Sequence, residues 1–175
     1  ALLNPWFDRD LSMVGRVTIK DQRGKLKHVL VNANKAIAII PSLAIHLDRE
    51  ANKERSINAQ TYLPAIIAGD GEFDLKSLLS SLVIEQGKND GEFELIDFEI
   101  SLYPFENAAL IGIKDEFIAS ARLDNLLSCF VAAQTIASES DGSNEEASNR
   151  LIVCNDHEEV GSSSTSGARG TFLRD

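Results

Sequence analysis

Two alternating stretches joined by a turn limit this chain's fold more than any other feature. Met13-Val14-Gly15-Arg16-Val17-Thr18-Ile19-Lys20 places apolar residues at period two. Asp21-Gln22-Arg23-Gly24 is a turn signal, and Lys25-Leu26-Lys27-His28-Val29-Leu30-Val31 alternates again. Successive strand side chains point to opposite faces, so the pair predicts a β-hairpin with one face buried. A third alternating run, Phe93 to Leu102, predicts another strand ended by Pro104. Ile37 to Ile40 is a short apolar run stopped by Pro41, after which Ser42 to Leu47 predicts a short helix with Ser42 as its cap. From Arg49 to Gln60 the chain is polar and aperiodic, which predicts a mobile loop.

Leu75, Leu78, Leu79, Leu82 and Val83 fall at helical spacing, with Asp74 placed to cap the N-terminus and Gly87 to stop the helix. Beyond Pro104 the character changes. Ala108 to Ile113 predicts a further strand, and Leu123 to Ala137 a second helix with Leu126, Leu127, Phe130, Val131 and Ile136 on its apolar face. An acidic connector, Ser138 to Asn149, leads to Leu151-Ile152-Val153-Cys154, a continuous apolar run that predicts a strand buried on both faces. Helix, connector and buried strand are part of an α/β unit, whereas the earlier two-thirds read as an α+β module of hairpins. No internal repeat is visible.

Composition narrows the function. With 17 basic and 27 acidic residues the net charge is −10, and the basic residues form no stripe, so nucleic-acid binding is excluded on charge. No run approaches the roughly 18 apolar residues of a membrane span. The chain opens on Ala-Leu-Leu-Asn-Pro-Trp without an initiator Met or a signal-like stretch, and the expectation is an internal piece of a longer protein. Cys129 and Cys154 each lie in an apolar stretch and read as buried free thiols, which suits a reducing compartment and predicts a cytoplasmic protein.

The residues richest in chemistry follow the apolar run: Asn155-Asp156-His157-Glu158-Glu159-Val160-Gly161-Ser162. In open α/β sheets ligands bind beyond the carboxyl ends of strands. Two adjacent carboxylates repel unless a cation or a proton offsets them. A divalent metal does so: one Glu ligates it while the other takes a proton from water. A solvated acidic loop accounts for the pair equally well. Asp124 stands at the start of the second predicted helix, where a capping carboxylate is the simpler account; beside Glu158 and Glu159 it becomes a candidate bridging ligand. His46-Leu47-Asp48 has a His-x-Asp metal spacing, and a structural histidine is the plainer alternative. His28 reads as structural or exposed, and His157 has no assigned role. The stretch from Gly161 to Gly170 lacks the Gly-Lys-Ser/Thr ending of a phosphate loop and reads as a loop beside the site that continues into a helix beyond Gly170.

Arg122-Leu123-Asp124-Asn125-Leu126 with Ser128-Cys129-Phe130, followed by Glu158-Glu159-Val160-Gly161-Ser162, resembles the aspartyl aminopeptidase family of zinc exopeptidases. Trp6 to Leu11, Ile40 to Leu47 and Asp97 to Tyr103 agree with it, in the family's order along the whole chain. The resemblance implies three-layer α/β metallopeptidase core segments, with a mixed sheet, at 1–11 and 104–175. It places an inserted, strand-rich α+β dimerisation domain at 12–103.

By position it implies Asp124 as the metal-bridging carboxylate, Glu159 as a ligand to one of two zinc ions and Glu158 as the general base. His46 becomes a substrate-site residue that reaches a neighbouring subunit's active site. The family's metal-binding His-x-Asp lies earlier than Trp6, and its remaining Asp and His lie further downstream, so the ligand set is incomplete here. The family removes N-terminal Asp or Glu from peptides and assembles from dimers into a dodecamer. Two alternatives remain: a catalytically inactive dimerisation module, and a related two-metal peptidase of other specificity.

Overall fold

The computed structural model describes residues 2–69, 71, 73–89, 91–139, 149–155, 157, 161–164 and 167–171. The fold mixes α-helices with antiparallel strands and divides into two compact units, Leu2–Asn107 and Ala108–Asp175.

The predicted hairpin forms. Strands β1 (Leu11–Asp21) and β2 (Leu26–Asn32) pair antiparallel, with Val17 opposite Val29 and Gly15 opposite Val31. Asp21 Oδ1 accepts the backbone N–H groups of Arg23 and Lys25, and Gly24 supplies the positive φ that closes the turn. Strand β3 (Phe93–Pro104) pairs with the other edge of β1, giving the order β2-β1-β3.

The register of β3 shifts between Thr18 and Ile19, so that Thr18 faces Asp97 and Ile19 faces Leu95. This bulge moves the apolar positions from odd to even numbers along β3. Phe93 and Leu95 before it, and Ile100 and Leu102 after it, consequently pack on one core.

That core is built on Met13, Val17, Ile19, Val29 and Val31, and helix α2 (Leu75–Glu85) covers it with Leu79, Leu82 and Val83. Asp74 caps α2 as predicted: its carboxylate accepts the N–H groups of Lys76 and Ser77 and the Ser77 hydroxyl. Gly87, at positive φ, donates to the Ile84 carbonyl and ends it.

A second cluster, Leu11, Ala38 and Ile40, gathers Trp6, Phe7, Leu63 and Ile67 around the apolar run. The run is tied on one side by Leu11 and Asp8 and on the other by Ile66; Ile39 and Ile66 exchange both backbone hydrogen bonds, at 3.0 and 2.8 Å.

One expectation in this unit is corrected. Residues 42–47 make a turn rather than a helix, with Leu47 and Asp48 donating to the Ala44 carbonyl. Ser42 does not cap them, because its hydroxyl, the group a cap would use, turns with its N–H to the Asp8 carboxylate. The polar stretch after it is a loop, as predicted, as far as Asn58, which caps helix α1 (Ala59–Tyr62), and within that loop Arg55 is largely buried.

In the other unit, β4 (Ala109–Ile111) and β5 (Phe117–Ala119) form a small hairpin, and α3 (Leu123–Glu139) follows. The predicted apolar face of α3 is solvent-exposed, with Phe130 at 60%. Residues 151–154 are not in a strand, and Leu151 is 74% exposed. A strand buried on both faces forms only between two pairing neighbours, and among the described residues nothing pairs with this run. Most of the acidic connector, residues 140–148, and the helix expected beyond Gly170 lie outside the described residues.

Candidate functional site

Asp124 sits where its chain direction changes. Its φ/ψ of −85° and 113° is extended, Asn125 is also non-helical, and the peptide between them is cis. Arg122, at φ 61°, turns the chain in, and its carbonyl accepts the Leu126 N–H at 3.1 Å. Asn125, rather than Asp124, makes a side-chain contact with the first helical turn: its Oδ1 accepts the Cys129 thiol at 3.0 Å. The Asp124 carboxylate is exposed and, among the described residues, has no hydrogen-bond or ion-pair partner. Among the described residues the Asp124 carboxylate therefore does not cap the helix that follows it.

Cys129 and Cys154 are free, but neither is fully buried as expected: Cys129 is half-buried and Cys154 exposed. A hydrogen bond with Cys154, together with desolvation, pushes the Cys129 thiol above its ordinary range. The two thiols are therefore neighbours, a proximity no sequence pattern signalled.

Glu158 and Glu159 themselves lie outside the described residues, between His157 and Gly161, which are within them. His157 Nδ1 lies 2.9 Å from the Ser164 hydroxyl, and His157 bridges in parallel to Gly167. A Cβ on Gly167 would meet the carbonyl oxygens of Gly161 and Ser162, so only glycine fits this close approach. Arg169 N–H closes the same turn by donating to the Ser162 carbonyl at 2.7 Å.

His46 belongs to the other unit and is exposed on the 45–47 turn. Both ends of that turn are tied down. Asp8 holds Ser42 at the entry, and the Ser42 hydroxyl and N–H, with Arg55 nearby, hold the Asp8 carboxyl below its usual range. At the exit Asp48 Oδ2 lies 3.2 Å from Arg55 Nε, and the Arg55 guanidinium stacks over the Phe7 ring at 4.2 Å. The buried role of Arg55 was hidden in sequence, because the residues around it are polar and aperiodic. His28 is exposed, as expected of one alternative, and shares a 3.0 Å hydrogen bond with Thr18.

Among the described residues no three His, Cys, Asp or Glu side chains converge as a metal site. As a carboxylate with no partner among the described residues, Asp124 suits one zinc ligand, but zinc binding needs about four donors. The described part of this chain does not fit the ion by itself.

The unit that holds Asp124 also carries, in sequence, the acidic pair Glu158-Glu159 next to His157. The chain belongs to the Peptidase M18 family, described as aminopeptidase I zinc metalloprotease, whose family model matches residues 1–175. It is 49% identical over 178 residues to the probable M18 family aminopeptidase 2 of Pseudomonas fluorescens strain SBW25, and 50% identical to that of Pseudomonas savastanoi pv. phaseolicola. In both cases 99% of this chain is covered but 39% of the relative's length.

Among solved structures, a chain in the cryo-EM structure of the Ape4 and Nbr1 complex has a TM-score of 0.83 at 36% identity, covering 99% of this chain and 36% of that one. A chain of the S. cerevisiae mApe1 dodecamer has a TM-score of 0.72 at 26% identity, covering 99% of this chain and 39% of that one.

Proposed function

We propose that the whole protein is a di-zinc aminopeptidase that removes N-terminal Asp or Glu from peptides, with this chain supplying part of its machinery. The observation that carries this reading is the family match across all 175 residues. The exposed apolar face of α3 supports it as well, since a contiguous apolar surface marks a place where further polypeptide packs.

In this reading 12–103 is the inserted dimerisation domain, and 1–11 and 104–175 are segments of a three-layer catalytic domain. Asp124, as the bridging carboxylate, and Glu159 would be among the residues that hold the two zinc ions, with the remaining ligands supplied by parts of the protein that this chain does not span. Bound zinc would polarise the scissile carbonyl. Glu158 accepts the proton of the attacking water, as a carboxylate positioned within hydrogen-bond reach can. His46, from a neighbouring subunit, stabilises charge developing on the carbonyl oxygen. Its exposure on a turn anchored at both ends is what such a reach requires. The dodecamer described for mApe1 supports a homo-oligomer built from dimers, and the two free cysteines support a cytoplasmic location.

The test is Glu158→Gln in the full-length protein. Hydrolysis of an aspartyl chromogenic amide should fall by roughly 100-fold or more while zinc content stays constant, the range for loss of a general base. Full activity in the variant would refute the assignment of Glu158. A wild-type protein that binds zinc and cleaves only neutral N-terminal residues would instead support the related peptidase of other specificity.

A further inference from the structure

We infer that Arg55 is a positioning residue for His46: with Phe7, Asp8 and Asp48 it clamps both ends of the turn that presents the imidazole. The inference rests on the substrate-site reading of His46 given above.

Four observations carry it. First, the turn is anchored at its entry by Asp8, which accepts the Ser42 N–H at 2.7 Å and donates its own N–H to the Ile40 carbonyl at 2.9 Å. Second, it is anchored at its exit by the Asp48–Arg55 ion pair, whose side chains are 15% and 14% exposed, unlike the more open ion pairs elsewhere among the described residues. Third, the same guanidinium lies over Phe7, the residue before Asp8, so one side chain ties the exit anchor to the entry anchor. Fourth, His46 is exposed and has no hydrogen-bond partner among the described residues, so its placement comes from the ends of the turn and not from contacts of its own ring.

The way Arg55 is held fits this role. Its Nε and Nη2 are buried without a hydrogen-bond partner among the described residues, although Nε is close to Asp48. The 3.2 Å approach is therefore a Coulombic contact rather than an aligned hydrogen bond. A planar cation stacked on a ring and facing a largely enclosed carboxylate satisfies both contacts at once, and Lys, which lacks the plane, cannot reproduce them. Asp48 already neutralises the guanidinium, which argues against an anion-binding role.

The experiment is a double-mutant cycle in the full-length protein, measuring kcat and KM on an aspartyl chromogenic amide for wild type, His46→Ala, Arg55→Met and the double variant. Arg55→Met should lower kcat/KM by roughly 10- to 100-fold, the scale of a misplaced catalytic group, and should add almost nothing once His46 is gone. Phe7→Leu removes the ring face but leaves the ion pair, and should show the same dependence on His46 in a gentler form.

The rate of carbethoxylation of His46, read by mass spectrometry on the zinc-free protein, should change in both variants. A loss of equal size in both backgrounds, or none at all while His46→Ala is impaired, would overturn the positioning role and leave the reading of His46 intact. Full activity of His46→Ala would overturn the reading itself, and the inference with it.

Discussion

Replacing Leu79 by Ala tests whether α2 is held by the sheet it covers. Leu79 is fully buried in the cluster of Met13, Val17, Ile19, Val29 and Val31, and it shares the inward face of α2 with Leu82 and Val83. An isolated helix of 11 residues is marginal in water, so packing rather than propensity keeps α2 folded. The substitution removes three carbon groups at about 0.8 kcal/mol each, or about 2.4 kcal/mol of transfer energy. Incomplete collapse around the site adds a cavity cost, bringing the expected loss to about 3–4 kcal/mol.

Urea unfolding of the chain can be followed by the fluorescence of Trp6, the single tryptophan, which packs in the Leu11 cluster of the same unit. With a slope of about 2 kcal/mol per molar, the midpoint should fall by roughly 1.5–2 M at an unchanged slope. Leu30→Ala is the control: at 68% exposure it should change stability by less than about 0.5 kcal/mol. A loss below about 1 kcal/mol for Leu79→Ala would refute the account of α2 as the cover of this core.

Two further predictions concern the same unit. At Gly15 an added Cβ would meet the Glu99 carbonyl and come within 2.9 Å of Ile100 Cα, both backbone of the paired strand, so Gly15→Ala should cost about 1–3 kcal/mol through overpacking, checked by the same unfolding assay. Asp74 has its pKa lowered by the Ser77 hydroxyl and N–H and then by the Lys76 N–H. A depressed folded pKa means that the stabilisation is present above the ordinary aspartate range and is lost as pH falls through the folded value. Asp74→Asn, which keeps a capping oxygen but cannot titrate, should flatten that acid limb in circular-dichroism melts taken from about pH 5 to 2. Identical limbs in the two proteins would remove Asp74 from the acid response.

Sequence by itself determined the elements whose causes are local. The β1–β2 hairpin follows from alternation around a turn in which Asp21 and Gly24 supply the oxygen and the positive φ. Helix α2 follows from 3.6-residue spacing between a capping Asp and a terminating Gly. The acidic residues of the candidate site could be picked out for the same reason, since a fixed local order needs no fold to be noticed, but Glu158 and Glu159 lie outside the described residues.

Tertiary structure decided what depends on distant partners. Ser42 looked like a helix cap, but Asp8, 34 positions away, takes both its hydroxyl and its N–H. Leu151 to Cys154 has the composition of a central strand, but strands are defined by pairing, and among the described residues no strand pairs with it. Arg55 sits in a stretch with no period and becomes a buried cation only because Phe7 and Asp48 converge on it. The bulge that lets Leu95 and Ile100 share one face is likewise a property of pairing with β1. Local dihedral preference and capping act over a few residues, so one sequence window reveals them. Burial and charge pairing are settled between segments far apart in the chain, and only the folded chain brings those segments together.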